Sequence, residues 1–220
     1  MTAPVVTSAG GVTLIGGGAV SERDLEQALA LAPLLVAADS GADEALELGH
    51  RPSAVIGDFD SLSEAARDLL PPGALYRVAE QDSTDFEKCL TRIEAPFVIA
   101  VGFAGRRLDH TLAALNVMAR LPAPNVLLIA AEDVVFLCPP ALSLDLPIGS
   151  RLSLFPMGPS QGTSHGLEWP IDGLDFAPAG ASGTSNRVTG PVRLTMTGPM
   201  LVMLPRAGLA AALAGLGFTA

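Results

Sequence analysis

The chain has 220 residues, 49% of them apolar, and a formal net charge of −10. Its length allows one large domain or two small ones. The negative charge argues against a nucleic-acid partner, which would need clustered Lys and Arg to meet backbone phosphates.

No apolar run approaches the ~20 residues that span a bilayer, so no membrane partner is expected. Residues 1–11 lack a basic segment followed by a long apolar stretch, and no secretory signal is expected there. The two cysteines, Cys89 and Cys138, form neither a CxxC metal pattern nor a disulfide framework. A cytoplasmic location is the expectation.

The first 140 residues alternate strands and helices. Residues 12–15 are an apolar run ending in Gly16-Gly17-Gly18, and Ser21 with Asp24 form a capping arrangement for the next helix. A strand at 34–38 precedes a short helix at 42–48, closed by Gly49, and a strand at 54–56 follows Pro52. Ser61 and Glu64 read as a capping box for a helix to Leu70, followed by a strand at 74–78. Thr84 and Glu87 cap a helix running to Ile93. A strongly apolar strand at 97–101 leads through a loop at 102–107 into a helix opened by Asp109 and ending near Leu121. Strands follow at 126–130 and 134–137. This βαβα rhythm implies a largely parallel sheet with helices on both faces.

After Pro139-Pro140 the texture becomes rich in Gly, Pro, Ser and Thr. Short alternating segments at 151–155, 166–169, 192–196 and 200–204 predict an antiparallel sandwich or barrel-like unit, followed at 207–216 by a terminal helix or a tail packed on the body.

Four acidic turns each follow a predicted strand: Asp39-Ser40-Gly41, Gly57-Asp58-Phe59-Asp60-Ser61, Asp82-Ser83-Thr84-Asp85 and Arg107-Leu108-Asp109-His110. Strand C-terminal ends in an open α/β sheet converge on one crevice. Like-charged carboxylates about 4 Å apart repel by roughly 4 kcal/mol per pair at an effective dielectric near 20. A divalent cation removes that penalty, and oxygen-only ligands favour magnesium, calcium or manganese. Asp58 and Asp60, spaced by two in an extended turn, are expected to point to one side, with Phe59 turned into the core. Gly57 permits a close backbone approach. Asp39 has an ordinary reading as a helix N-cap, and Asp85 as a first-turn acid favoured by the helix dipole.

Lys88 is the only lysine, which excludes a GxxxxGK[ST] phosphate loop. On their shared helix Lys88 reads as solvated and Cys89 as core. The glycine-bearing stretch Gly102 to His110 resembles a lysine-free phosphate loop, with Arg106-Arg107 as the source of bidentate donors. His110 reads as a helix-start residue. His50 and His165 have no nearby acidic or cysteine partners in sequence, so no zinc site is expected. Trp169 and Gly183-Thr184-Ser185-Asn186 stand out in the second region, but by residue type alone they read as core or interface and as a turn.

Taken together, Asp39-Ser40-Gly41-Ala42, Gly57-Asp58-Phe59-Asp60-Ser61, Gln81-Asp82-Ser83-Thr84-Asp85-Phe86-Glu87, Arg107-Leu108-Asp109-His110, Gly166-Leu167-Glu168-Trp169 and Thr184-Ser185-Asn186 closely resemble the motifs of the thiamine pyrophosphokinase family. The ordered set spans about residues 12–205. The resemblance implies an α/β protein with an N-terminal Rossmann-like, mostly parallel sheet flanked by helices and a C-terminal antiparallel β-sandwich. Residues 1–140 would be the catalytic ATP/Mg-binding domain and 141–220 the thiamine-binding domain. It also implies a homodimer with active sites at the subunit interface, and transfer of pyrophosphate from ATP, the co-substrate, to the hydroxyl of thiamine.

By matching position, Asp58, Asp60 and Asp85 resemble the Mg2+-binding acids, with Arg107 joining them in catalysis. Asp39, Arg107 and Asp109 resemble nucleotide and phosphate contacts, and Gln81 and Thr84 active-site polar groups. Trp169, Ser185 and Asn186 resemble the thiamine side. Ser40 stands where the family has glycine, which removes backbone freedom. Arg106 stands where glycine is common, and Gly183 where serine is frequent. The competing readings are pyrophosphoryl transfer to another hydroxymethyl heterocycle, such as a pterin, and a non-catalytic thiamine or nucleotide sensor. Asp85 or Asp58 is the nearby aspartate for the hydroxyl proton, unless no dedicated base is used.

Overall fold

The computed structural model describes residues 3–105, 107–121 and 123–218. It is a mixed α/β fold in two compact units, 1–131 and 132–220. The boundary precedes the Pro139-Pro140 position expected from sequence. The strand at Asp133–Leu137 (β9) lies in the second unit, where it pairs antiparallel with Met200–Pro205 (β14).

The first unit begins with a two-residue strand, β1 (Val6–Thr7), followed by β2 (Val12–Ile15), α1 (Glu22–Leu31), β3 (Leu34–Ala38), α2 (Gly41–Glu47), β4 (Ala54–Gly57) and α3 (Glu64–Leu69). A 3₁₀ turn, β5 (Leu75–Arg77), α4 (Asp85–Leu90), β6 (Ile93–Glu94), β7 (Phe97–Val101), α5 (Leu108–Arg120) and β8 (Asn125–Ile129) complete it. β1 and β6 pair with each other in parallel. The other strands form a parallel sheet in the order β8-β7-β2-β3-β4-β5.

The central strands β2, β3, β4 and β7 are almost wholly buried, as continuous apolar runs in a covered parallel sheet should be. The buried polar residue Thr13 donates its hydroxyl to Ala32 O at 2.6 Å. Caps on α1 and α4 follow the sequence reading. Ser21 and Asp24 form a reciprocal capping box on α1, and Thr84 Oγ1 accepts from Glu87 N on α4. The cap on α3 is Ser63, which accepts from Ala66 N, rather than Ser61. α4 ends at Leu90, because the chain turns there into β6.

These six strands all run the same way, so their C-terminal ends share one edge. From β2 the chain winds outward through β3, β4 and β5, then returns to the other side of β2 for β7 and β8. That reversal opens a crevice beyond the ends of β2, β3 and β7.

The second unit holds β9, β10 (Ala141–Leu144), β11 (Arg151–Pro156), β12 (Gln161–Leu167), β13 (Gly183–Thr197) and β14. Every pairing among them is antiparallel. Sequence patterning caught only the C-terminal part of β13. This strand pairs with β11 through its first residues and with β10 and β12 through the rest. A 3₁₀ turn leads into α6 (Leu209–Gly215), the terminal helix expected from sequence. α6 lies close on β10, since a Cβ on Gly215 would come within 2.7 Å of Ser143 O. No helix among the described residues is long and apolar enough to cross a membrane.

Gly41 is where α2 meets β2. A Cβ there would lie 2.2 Å from Ile15 O, a backbone atom that cannot swing aside. Gly41→Ala is therefore expected to destabilise the protein by about 1–3 kcal/mol, despite alanine's better helix propensity. Urea denaturation of the variant measures this.

Candidate active site

The crevice is a cleft of about 450 Å³, built entirely from the first unit. Its floor is backbone. A Cβ on Gly18 would sit 2.4 Å from Gly102 O, and one on Gly17 would sit 2.2 Å from Ser40 Oγ. The turns after β2, β3 and β7 are thus packed against one another, and Gly16, Gly17, Gly18, Gly102 and Gly105 border the cleft.

The acids gather beside this floor. One carboxylate oxygen from each of Asp39, Asp58 and Asp60 lies within 4.8 Å of the others. Asp39 is buried and adopts a left-handed backbone with φ 45°, which turns the chain sharply at the end of β3. Its Oδ2 accepts from Phe59 N at 2.8 Å. Its Oδ1 is buried and has no hydrogen-bond partner among the described residues. Gly57 is required here, since a Cβ would meet Asp39 Oδ2 at 2.7 Å. Burial drives the Asp39 pKa up to about 6, the fields of Asp85, Asp58 and Asp60 add to the rise, and the Phe59 N–H opposes it. A buried carboxylate oxygen without a donor, beside two more carboxylates, is a donor set that fits a hard divalent cation.

Phe59 does not enter the core. It has φ 68° and is half-buried, and the Arg67 guanidinium lies 5.8 Å from its ring centroid. The left-handed residue breaks the extended alternation on which the sequence expectation rested. Ser61 does not cap α3, and instead donates its hydroxyl to Asp60 Oδ1 at 2.9 Å.

Lys88 is likewise not solvated. It is buried, and its Nζ lies 2.7 Å from Asp58 Oδ2 and 3.1 Å from Asp85 Oδ1. Burial disfavours the Lys88 charge, but the hydrogen bonds to Asp58 and Asp85 outweigh it and leave its pKa above the lysine norm. The same hydrogen bond from Lys88 holds Asp58 well below the usual carboxylate range. Gln81 Nε2 also donates to Asp58 Oδ2, at 2.9 Å. Asp85 borders the cleft, but its described partner is Lys88, one turn along α4, and it stands outside the three-carboxylate group. Thr84 borders the cleft while capping α4.

On the opposite wall, Arg107 and Asp109 form a two-point pair, with Nε to Oδ1 at 3.1 Å and Nη2 to Oδ2 at 2.6 Å. Both side chains are exposed. Arg107 borders the cleft, whereas Asp109, its two-point partner, is not among the residues that line it. Arg106, the other expected donor, lies outside the described residues. His110 borders the cleft. Phe103 does too, with its ring centroid 4.5 Å from that of Phe86.

In the second unit, Asn186 is buried and clamps the backbone at Trp169. Its Nδ2 donates to Trp169 O at 2.6 Å, and its Oδ1 accepts from Trp169 N at 3.2 Å and from Arg187 N at 2.8 Å. Both acceptor sites of Oδ1 and one Nδ2 donor are engaged, so Asn186 holds the backbone at Trp169, a residue that is itself 53% exposed. Ser185 is exposed with φ 61°, and its N–H donates to Ser153 Oγ at 2.9 Å. Gly183 is tightly enclosed, as a Cβ would lie 3.2 Å from Leu154 Cβ.

Among the described residues, the non-glycine positions with positive φ are Asp39, Phe59 and Ser185. Each falls within a motif that the sequence singles out, and such strain concentrates at functional sites. Ser40 needs no such freedom, because its φ is −60° and the unusual conformation sits at Asp39 instead.

The family model for the thiamin pyrophosphokinase catalytic domain matches residues 25–129. The model for the thiamin pyrophosphokinase vitamin B1 binding domain matches residues 142–201. The chain belongs to the thiamin pyrophosphokinase family. Thiamine pyrophosphokinase 1 of Oryza sativa subsp. japonica is 27% identical over 71% of this chain and 72% of its own length. Thiamine pyrophosphokinase 1 of Arabidopsis thaliana is 28% identical over 63% of this chain, and the match spans 59% of that protein. The thiamin pyrophosphokinase structure from Candida albicans aligns with a TM-score of 0.77 at 16% identity, covering 93% of this chain and 94% of that one. The structure from Geobacillus thermodenitrificans gives 0.73 at 20% identity, covering 91% and 99%.

Sequence reasoning passed over three contributors to this thiamin pyrophosphokinase-family cleft: the Gly16–Gly18 floor, Phe103 and Lys88. The glycine run after an apolar strand was a signal for the first. For Lys88 the available signal was its place one turn after Asp85, between the apolar Phe86 and the apolar pair Cys89 and Leu90.

Asp39 has a folded-state pKa above the usual 3.8, so the folded state holds its proton longer than the unfolded chain. This group's contribution to stability therefore falls as pH rises from about 4 to about 6 and stays low above that. At roughly 1.4 kcal/mol per pKa unit the cost reaches up to about 3 kcal/mol. In EDTA, Asp39→Asn is expected to raise the melting temperature at pH 7, with the gain shrinking towards pH 4. A pH series of thermal melts checks both the sign and the window.

Proposed function

We propose that the protein transfers the pyrophosphoryl group of ATP to the hydroxyl of thiamine, giving thiamine diphosphate and AMP. The reading is carried by the convergence of Asp39, Asp58 and Asp60, with an undonated buried oxygen, at the reversal point of a parallel sheet. Membership of the thiamin pyrophosphokinase family supports it. Asp58, Asp60 and Asp85, backed by Asp39, would hold Mg2+. When bound, Mg2+ supplies charge neutralisation for the triphosphate and for the oxygen that leaves with AMP.

The chain's own groups do the rest. The glycine turns that border the cleft would receive the phosphates, and the Phe103 ring offers an apolar wall. The thiamine hydroxyl attacks the β-phosphorus in line, and charge develops on the oxygen bridging the α- and β-phosphorus atoms. Arg107 spends two of its five N–H donors on Asp109 and keeps three for that charge. Fixing the guanidinium beforehand lowers the cost of reorganising it during transfer.

We read the first unit as a Rossmann-like ATP/Mg domain and the second as a β-sandwich that receives thiamine against Trp169 and Ser185. We also read the protein as a homodimer with its active sites at the subunit interface. The exposed pair Leu108 and Leu112, one turn apart on α5, supports a covered surface there. The two free, buried cysteines suit a cytoplasmic location.

The deciding experiment supplies ATP and Mg2+ with either thiamine or a hydroxymethyl pterin and assays AMP. AMP is expected with thiamine alone. Release only with the pterin would identify a different pyrophosphokinase, and release with neither would identify a sensor. Asp60→Ala and Arg107→Ala are each expected to lower the rate by about 10²-fold or more while far-UV circular dichroism stays unchanged.

Trp169 is the only tryptophan, so intrinsic fluorescence reports on its surroundings without labelling. Thiamine is expected to quench it, and Asn186→Ala, which releases the Trp169 backbone, to weaken thiamine binding about tenfold. An unchanged titration curve in that variant would remove Trp169 from the binding site.

A further inference from the structure

The acid cluster contains its own cation. Lys88 is the only lysine of the chain, is 2% exposed, and reaches Asp58 Oδ2 at 2.7 Å and Asp85 Oδ1 at 3.1 Å. Nothing in the packing of α4 calls for an ammonium at this position. The helix is capped by Thr84, and Phe86, Cys89 and Leu90 bury its apolar side. An apolar chain of similar length could fill the same space without the cost of desolvating a charge.

The hydrogen bonds show what the charge does. Lys88 and Gln81 both donate to Asp58 Oδ2, filling the two acceptor sites of that oxygen. Asp58 Oδ1 already accepts from Asp60 N at 3.1 Å. A cation entering beside Asp39, Asp58 and Asp60 therefore finds Asp58 with one acceptor position left, and meets the field of the ammonium on its far side.

We propose that Lys88 is a resident counter-ion that weakens the binding of free divalent cations, so that the cluster takes the metal effectively only as its polyphosphate complex. The phosphates add the negative charge that Lys88 has offset, and the metal and nucleotide enter together. Lys88 in this role tunes the metal site without touching the reacting atoms. The inference rests on the reading of Asp58 and Asp60 as metal ligands, and the test separates the two.

The test titrates Mn2+ alone, without nucleotide, into purified protein and follows unbound Mn2+ by electron paramagnetic resonance. Wild type, Lys88→Met, Lys88→Gln, Lys88→Arg, Asp60→Asn and the double variant Lys88→Gln with Asp60→Asn are compared. Both neutral variants are expected to bind Mn2+ at least about tenfold more tightly than wild type, since a like charge within the cluster is removed. Lys88→Arg keeps the charge and is expected to bind no more tightly than wild type. Adding a non-hydrolysable ATP analogue should tighten Mn2+ binding more in wild type than in Lys88→Gln.

Neutral variants that bind Mn2+ no better than wild type overturn the counter-ion role, while a loss of binding in Asp60→Asn leaves the metal site standing. If Asp60→Asn changes nothing in either background, the acids are not the metal ligands, and the reading beneath the inference fails. Lys88→Gln retains donors for Asp58 and carries the comparison if Lys88→Met does not fold.

Discussion

Carboxylates at the ends of parallel strands must share a small space, and the rest of the site is arranged around their repulsion. The sheet creates the problem, because strands that all run the same way deliver the turns after β3 and β4 to one edge. Asp39 is buried against the turn that carries Asp58 and Asp60, and its burial removes the water that would otherwise screen its charge from theirs. Each device that relieves the strain is specific: the Phe59 N–H on Asp39, the Gln81 amide on Asp58, and the Lys88 ammonium between Asp58 and Asp85. They do so incompletely, and the Asp39 oxygen without a donor marks the remaining deficit. An arrangement that is costly for the isolated chain and suited to an added cation is what a binding site for an anionic substrate requires.

Backbone conformation enforces this crowding. Positive φ at Asp39 and Phe59 reverses the chain just past the strand ends, which brings carboxylates inward that an extended continuation would carry away. The absence of a side chain at Gly57 leaves the space that the Asp39 carboxylate fills, and the glycines after β2 leave the space that Phe103, Ser40 and Gly102 O fill. In the second unit the strained residue is Ser185, with Asn186 beside it bonding both the N–H and the C=O of Trp169. Strain and polar clamping thus fall on the same motifs in both units, at positions that regular secondary structure does not explain.

Several features were legible in the residues themselves. The apolar runs of β2, β3, β4 and β7, the caps on α1 and α4, and the acidic turns after the strands all arise from interactions within a few positions along the chain. Periodicity and capping chemistry report such interactions directly. The length of β13 was obscured because the Ser/Thr/Asn stretch at its start looks like a turn, and pairing with β11 overrides that preference. The expected boundary at Pro139-Pro140 followed composition, whereas β9 is assigned to its unit by a partner strand some 65 residues further along.

The sequence by itself determined the alternation of strands and helices, the shift to an antiparallel C-terminal region, the family, and the acids and arginine that form the cleft. Tertiary structure alone decided that Lys88 is buried against Asp58, that Phe59 leaves the core, that Asp39 joins Asp58 and Asp60, and that Asn186 serves Trp169 rather than facing outward. The reason is physical. Whether a charge is solvated or paired depends on groups brought near by folding, and Lys88 and Asp58 stand 30 positions apart in the chain. Local pattern can identify the chemistry a residue carries, but its partner is set only when the strands align.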